Sequence, residues 1–353
     1  MDANRRPAII REEKNEIDVT SWRRRTRDRH PGHRFARSGR TTLKVSLFTP
    51  PVSPLNEQFE RIKAGLAEAT GGELVLELYE SSQMGPPVRQ FDLVRTGVAD
   101  ITVVFLGLTP GRFSMSQLAE MPGMSDPGVS EEASYAVSQA TMELGTEYLA
   151  DEYPSAMLLN VAMLPNPIIL TKQEVTKLSD IEGLRLRHPG EIHAATIEKL
   201  GGVPVLVQPT EQAEALSRGQ IDGALTAYSG IMNYQLQDSA KFAYELPTGG
   251  LEFAVVMNTE SYENLPDDLK PAFDEYFGAG GQDAWGRLLG AGEVRLREHL
   301  ETLGVQVRQP SEEDLATFNA MVPDLQEAAI EALESEGKPA RAFAEALREK
   351  LGK

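Results

Sequence analysis

The stretches VRTGVAD (residues 94–100) and LSRGQID (residues 216–222) repeat one pattern: an apolar residue, a glycine three positions later, and an aspartate three positions after that. Glycine adopts the left-handed backbone conformation that ends a helix, and aspartate favours the turn into the next strand. One such copy is common wherever a helix leads into a strand. Two copies, each before an apolar strand, predict two α/β lobes of like construction.

The segments around each copy alternate between strand and helix patterns. Apolar residues at every second position, or in a continuous short run, are typical of strands. Apolar residues spaced three and four positions apart are typical of amphipathic helices. Around the two copies, these patterns predict strands at 43–47, 74–78, 101–106, 184–187 and 203–207. They predict helices at 55–69, 91–96, 191–200 and 213–218.

This alternation indicates largely parallel sheets with helices on their faces. Ligands in such sheets lie beyond the carboxyl ends of the strands, which places residues 106–113 and 226–230 around a shared cleft. From about residue 282 the spacing predicts helices to the end of the chain, and the glycine-rich segment 277–283 is predicted to be a loop between helices. We therefore predict an α/β fold of two lobes around a cleft, with C-terminal helices.

The charge of the chain is unevenly distributed. Residues 1–42 hold 12 basic and 6 acidic residues, which leaves 23 of the 35 basic and 47 of the 53 acidic residues for the remainder. A surface that acidic repels nucleic acid, so no nucleic-acid partner is predicted, and adaptation to high salt is a hypothesis. The composition of residues 1–42 favours a disordered extension or a misassigned start.

No pattern of a known catalytic or metal site is present. His188 and His193 have the wrong spacing for two ligands on one helical face, and the 53 acidic residues make carboxylate pairs uninformative. The sequence has no cysteine, no phosphate-binding loop and no nucleophile elbow. We predict no catalytic residues, no metal and no cofactor, and no apolar run is long enough to embed the chain in a membrane.

Three segments, residues 84–101, 178–189 and 214–226, resemble the solute receptors of tripartite ATP-independent periplasmic (TRAP) transporters, the DctP-like family. The likeness extends over about 43–345. It implies a type II periplasmic-binding-protein-like fold with strand crossovers and a long helix that spans both lobes. The lobes expected from it are 43–164 with about 253–292, and 165–252 with about 293–346.

The resemblance also implies a function. Such receptors are periplasmic, bind small organic acids by hinge closure, and deliver them to the TRAP membrane subunits. No signal peptide is recognisable in this sequence, so the periplasmic location is expected from the resemblance alone. An enzyme or a sensory receptor on the same scaffold is the alternative, because a fold does not fix a function.

The family pattern Gly-x-x-x-Arg-x-Pro holds the ligand carboxylate through its arginine, which matches Arg187 here. A guanidinium can meet a carboxylate with two parallel hydrogen bonds. Without the resemblance, Arg187 would be interpreted as an exposed arginine at a strand end, and core packing remains an alternative role for the aromatic candidates. The ligand-binding residues that the resemblance implies are Phe48, Phe105, Arg187, Thr226 and Tyr228.

The sequence departs from the family at two places. Many relatives carry a second ligand-contacting arginine where this chain has Asn166, and residues 224–228 differ from the frequent pattern after Asp-Gly. One charged contact is therefore missing and the pocket is expected to be more apolar. This favours a monocarboxylate with an apolar or aromatic body over a dicarboxylate or a sialic acid.

Overall fold

The structure, a computed structural model, describes residues 39–124 and 129–353. Most of the predicted N-terminal extension lies outside this part, although the first strand already begins at Thr41. The strands are β1 (Thr41–Ser46), β2 (Leu74–Tyr79), β3 (Ile101–Phe105), β4 (Ala156–Pro165), β5 (Ile168–Thr171), β6 (Arg185–His188), β7 (Val203–Leu206), β8 (Gly223–Thr226), β9 (Phe242–Tyr244), β10 (Gly250–Asn258) and β11 (Gln306–Arg308). The α-helices are α1 (Pro54–Ala69), α2 (Gln90–Arg95), α3 (Glu131–Leu144), α4 (Glu191–Lys199), α5 (Gln212–Ser217), α6 (Tyr228–Asn233), α7 (Thr259–Glu263), α8 (Lys270–Phe277), α9 (Ala279–Thr302), α10 (Glu312–Ser335) and α11 (Ala340–Lys350).

The strands form two mixed sheets. The first has the order β2-β1-β3-β10-β4, with β1 parallel to both neighbours and β10 antiparallel to β3 and β4. The second has the order β11-β9-β5-β8-β6-β7, with β6 parallel to β7 and β8. Helices and apolar side chains cover both sheets, which confirms the predicted α/β architecture. The prediction of largely parallel sheets is wrong, because β10 and β5 each run antiparallel to both of their neighbours.

The repeated turn plays the same part in each sheet. Gly97 and Gly219 have φ angles of 71° and 69°, the left-handed values expected after a helix. The carboxylate of Asp100 accepts a hydrogen bond from the backbone N–H of Lys44 at 2.7 Å, and that of Asp222 accepts one from the N–H of Arg185 at 3.0 Å. Each aspartate thus ties its turn to the neighbouring parallel strand.

The long helix α9 links the two sheets. It packs against α3 and β4 beside the first sheet and against α6 beside the second. The contact with α3 is close, since a Cβ on Gly290 would lie 2.6 Å from the Cα of Glu131. Near its middle, the buried Glu293 accepts hydrogen bonds from the backbone N–H groups of Tyr228 (2.7 Å) and Ser229 (3.0 Å). The helix that spans both halves, implied by the resemblance, is present.

Two details of the C-terminal prediction are wrong. The segment 277–283 is not a loop, because α8 ends at Phe277 and α9 begins at Ala279 with only Gly278 between them. The chain after residue 282 is not entirely helical, because β11 pairs in parallel with β9. A three-residue strand is too short to show a period in the sequence. No helix in the described ranges is long and apolar enough to cross a membrane.

Candidate ligand-binding cleft

A narrow cleft lies between the two sheets, with a volume of about 50 Å³. This volume is several times the roughly 10–15 Å³ that one water needs, so the cleft has room for a small ligand group. Residues of both sheets line it. Among them are Phe48, Leu55, Phe105, Leu164, Leu251, Phe253 and Leu289 on the apolar side, and Arg187, Gln212, Thr226, Ser229 and Tyr234 on the polar side.

Arg187 is the charged group of the cleft. It lies on β6, next to the edge strand of the second sheet, paired with Val205 of β7 and Ala224 of β8, and only 1% of its surface is exposed. Its Nε donates to the carbonyl of Val207 at 3.0 Å and its Nη1 to the carbonyl of Leu225 at 3.1 Å. These bonds fix the plane of the guanidinium. The third nitrogen, Nη2, is buried and has no hydrogen-bond partner among the described residues.

The charge of Arg187 has no counter-ion among the residues that the structure describes. Burial lowers the pKa of Arg187 to about 10, an effect that the nearby Tyr234 opposes, so the group stays protonated at pH 7. None of the ion pairs in the described part of the chain includes it. A buried, uncompensated charge is unfavourable by several kcal/mol. An anion that reaches Nη2 would relieve this penalty.

Three phenylalanines form the wall on the first-sheet side. Phe105 and Phe253 stack with ring centroids 4.6 Å apart, and Phe48 lies nearly parallel to Phe253 with centroids 6.5 Å apart. Phe105 ends β3 and Phe253 lies opposite it in β10, so the sheet register brings the two rings together. The wall offers flat apolar surface to a ligand ring.

Gln212 and Tyr234 supply further polar atoms to the cleft. Gln212, the first residue of α5, is 1% exposed, and its Nε2 donates to the carbonyl of Pro209 at 3.3 Å. Its Oε1 and the hydroxyl of Tyr234 are both buried without a partner in the described structure. Burial raises the pKa of Tyr234 to about 12, so its hydroxyl is neutral and can donate.

Four of the five residues predicted from the sequence line this cleft: Phe48, Phe105, Arg187 and Thr226. Tyr228 does not line it. Its hydroxyl donates to Glu245, and its ring is buried in the core beside the second sheet. The ligand-binding role of each residue remains a prediction.

The segment 106–113 does not line the cleft, because the chain turns at Leu106 into a 3-10 helix. Leu106 and Phe113 pack into a core cluster of the first sheet. Residues 226–230, in contrast, contribute Thr226, Ala227, Ser229 and Gly230.

Gln212, Tyr234 and Phe253 were not identified from the sequence. Gln212 had a detectable signal, since it shares the buried face of α5 with Ala215 and Leu216, and a polar residue on such a face requires a reason. The sequence around Tyr234 and Phe253 carries no comparable signal. Within residues 39–124 and 129–353, no group of His, Asp and Glu side chains is arranged to hold a metal ion.

Comparison with known proteins agrees with this geometry. The family described as "Bacterial extracellular solute-binding protein, family 7" (DctP) matches residues 45–332. The chain belongs to this family. A curated relative, the C4-dicarboxylate-binding periplasmic protein DctP of Rhodobacter capsulatus, is 20% identical over 236 residues, which are 66% of this chain and 69% of the relative.

Solved structures of DctP-family TRAP receptors have the same fold. A TRAP solute-binding protein from Rhodoferax ferrireducens, in complex with copurified benzoate, is 24% identical with a TM-score of 0.82 over 88% of this chain and 98% of its own. A marine-metagenome TRAP solute-binding protein specific for aromatic acids, in complex with 3-hydroxybenzoate, is 25% identical with a TM-score of 0.81 over 89% and 99% of the two chains. The fold of this chain is therefore the type II-like bilobed fold of TRAP solute receptors.

Proposed function

We propose that this chain is the periplasmic receptor of a TRAP transporter for an aromatic monocarboxylate, which it binds in the cleft between the two sheets. The observation that carries the proposal is the free, buried Nη2 of Arg187 at one side of an apolar cleft. A carboxylate there neutralises the guanidinium and accepts its remaining hydrogen bonds.

The single charge favours a ligand with one carboxylate. Arg187 is the cationic residue among those that line the cleft, and Asn166, where many relatives carry a second arginine, is not part of the lining. A second carboxylate would lie against phenylalanine and leucine side chains without a counter-charge, which is unfavourable.

The apolar side of the cleft favours an aromatic body. Phe48, Phe105 and Phe253 present ring faces and edges at the spacings seen in aromatic packing. The two solved relatives named above hold benzoate and 3-hydroxybenzoate, which supports the same class of ligand here.

The transport step follows from the family. Ligand bound between the sheets stabilises the closed arrangement, and the closed receptor docks on the TRAP membrane subunits, which take up the acid. Membership of an extracellular solute-binding family supports the periplasmic location.

Isothermal calorimetry with benzoate, phenylacetate and succinate tests the proposal on wild type and two lysine variants. We expect binding of at least one aromatic acid and none of succinate. Arg187→Lys should lower the affinity for the aromatic acid by about tenfold or more, because an ammonium cannot hold two carbonyls and a carboxylate in one plane. Arg185→Lys, on the same strand but outside the cleft, serves as the matched control and should bind normally.

Equal affinities of wild type and Arg187→Lys would contradict the assignment of Arg187. Preference for succinate over both aromatic acids would contradict the aromatic class.

A further inference from the structure

Three hydrogen-bonding atoms in the cleft lack a partner among the described residues: Arg187 Nη2, the Tyr234 hydroxyl and Gln212 Oε1. The first is a donor, the second can donate or accept, and the third can only accept. A carboxylate satisfies the first two. It has no hydrogen to offer to Gln212, and its negative charge would be repelled by an amide oxygen.

The orientation of Gln212 is set by its own turn. Its Nε2 donates to the carbonyl of Pro209, which leaves Oε1 as the free end of the amide. The side chain has almost no exposed surface, so bulk water does not satisfy the oxygen. A purely apolar ligand body would leave this buried acceptor without a hydrogen bond, which is unfavourable.

We propose that the ligand is a hydroxylated aromatic monocarboxylate whose hydroxyl donates to Gln212 Oε1, and that Gln212 makes the receptor discriminate against the acid that lacks this hydroxyl. The inference rests on the proposed function and narrows its ligand class. The carboxylate binds Arg187 Nη2 and Tyr234, and the ring lies against the phenylalanine wall.

The arrangement gives a partner to each of the three buried atoms of the lining that lack one among the described residues. Sites that hydrogen-bond a ligand hydroxyl reject the analogue without it more strongly than apolar pockets reject an added methylene, because the analogue leaves the protein group unpaired. The expected preference is about tenfold to one hundredfold.

Calorimetry on matched acid pairs tests the inference. Benzoate is paired with each of the three monohydroxybenzoates, and phenylacetate is paired with mandelate. Only the hydroxyl differs within a pair. For wild type we expect at least one hydroxylated acid to bind about tenfold or more tightly than its parent. Gln212→Leu should remove this preference, so that the two members of each pair bind with similar affinity.

Gln208→Leu is the control, since Gln208 lies four residues earlier and does not line the cleft. It should keep the preference of wild type. The comparison within wild type remains decisive even if Gln212→Leu fails to fold.

Parent acids that bind wild type as tightly as every hydroxylated partner would overturn the inference while leaving the proposed function intact. An equal loss of affinity for both members of a pair, measured on a folded Gln212→Leu variant, would also overturn the inference. If no acid in the panel binds wild type, the proposed function itself fails.

Discussion

Arg185 and Arg187 lie two residues apart on β6, and their surroundings give them different properties. Arg185 is exposed and bonded to both oxygens of Asp222, at 2.9 and 2.7 Å. An exposed pair of this kind contributes about 0–1 kcal/mol to stability. Arg187 is buried, bonded to two carbonyls and left with a free edge. Only Arg187 is therefore available to an anionic ligand.

A second buried polar group lies away from the cleft lining and consists of Glu120, Glu252 and His193. The backbone N–H of Glu252 donates to Glu120 Oε1 at 2.7 Å, and His193 Nδ1 lies 4.0 Å from Glu120 Oε2. Burial raises the pKa of Glu120 to about 8, and that of Glu252 well above its usual value. Burial, together with Arg187 and His188, lowers the pKa of His193 to about 3. Glu120 and His193 are therefore mostly neutral at pH 7, so the 4.0 Å contact between them is not an ion pair.

The raised pKa of Glu120 predicts a loss of stability as the pH rises from 4.5 to about 8. Between pH 4.5 and about 8 the folded protein keeps a proton on Glu120 that the unfolded chain releases. The free energy of unfolding therefore falls as pH rises through this window, by up to about 1.4 kcal/mol per pH unit for one proton. Glu120→Gln keeps the acceptor for Glu252 N–H but does not titrate, so its melting temperature should fall less between pH 5.5 and 8.5.

Scanning calorimetry across that range measures the difference, with the exposed Glu260→Gln as the control that should follow wild type. If the melting temperatures of wild type and Glu120→Gln fell in parallel with rising pH, Glu120 would not be a neutral buried side chain.

At the scale of elements, the two sheets meet where β3 and β6 end. Gly107 follows β3 and Gly190 follows β6, and a Cβ on Gly107 would lie 2.3 Å from the carbonyl oxygen of Pro189. Real Cβ atoms do not approach an oxygen so closely, so this contact between the sheets requires glycine.

Gly107→Ala should therefore disfavour the closed arrangement. If the added methyl raises its free energy by about 1.4 kcal/mol, the apparent affinity for the aromatic acid falls about tenfold. Calorimetry measures the affinity, and small-angle scattering of the liganded variant should show a larger radius of gyration than liganded wild type. Gly39→Ala, whose methyl would meet no described residue within 4 Å, is the control. An unchanged affinity and radius would show that closure does not depend on this contact.

Local patterns predicted the elements around the two repeated turns and the C-terminal helices, but they did not predict α3, β4 or β10. The apolar spacing of α1 and the glycines after α2 and α5 were sufficient to predict these three helices. Each pattern depends only on residues three or four positions apart. The short β11 and the start of α9 at Ala279 were not predicted, since both depend on packing against distant segments. Arg187 was identified through the family motif and not through periodicity. Phe253 enters the cleft only through its register with β3, which no local pattern encodes.

At the scale of the whole molecule, few connections join the two sheets. The chain leaves the first sheet at the end of β4 and enters the second at β5 after only Asn166 and Pro167. It returns between β9 and β10, and α9 packs beside both sheets. The sequence-based lobe boundaries, 43–164 with about 253–292 and 165–252 with about 293–346, remain a proposal that fits these crossings. Such short crossings are suited to hinge motion.

The distribution of charge is compatible with an anionic ligand. Outside residues 1–42 the chain has 47 acidic and 23 basic residues, a surface that repels anions at long range. Charges on the exterior are screened beyond about 8–10 Å at physiological salt, whereas the proposed carboxylate contact with the buried Arg187 would be short and out of water. The local attraction therefore dominates once the ligand has entered the cleft.

A crystal structure of the receptor with the tightest-binding aromatic acid would decide whether Arg187 holds the carboxylate. We expect one carboxylate oxygen about 2.7–2.9 Å from Arg187 Nη2, with the ring against Phe105 and Phe253. An acid bound elsewhere, or bound in the cleft with its carboxylate away from Arg187, would contradict it.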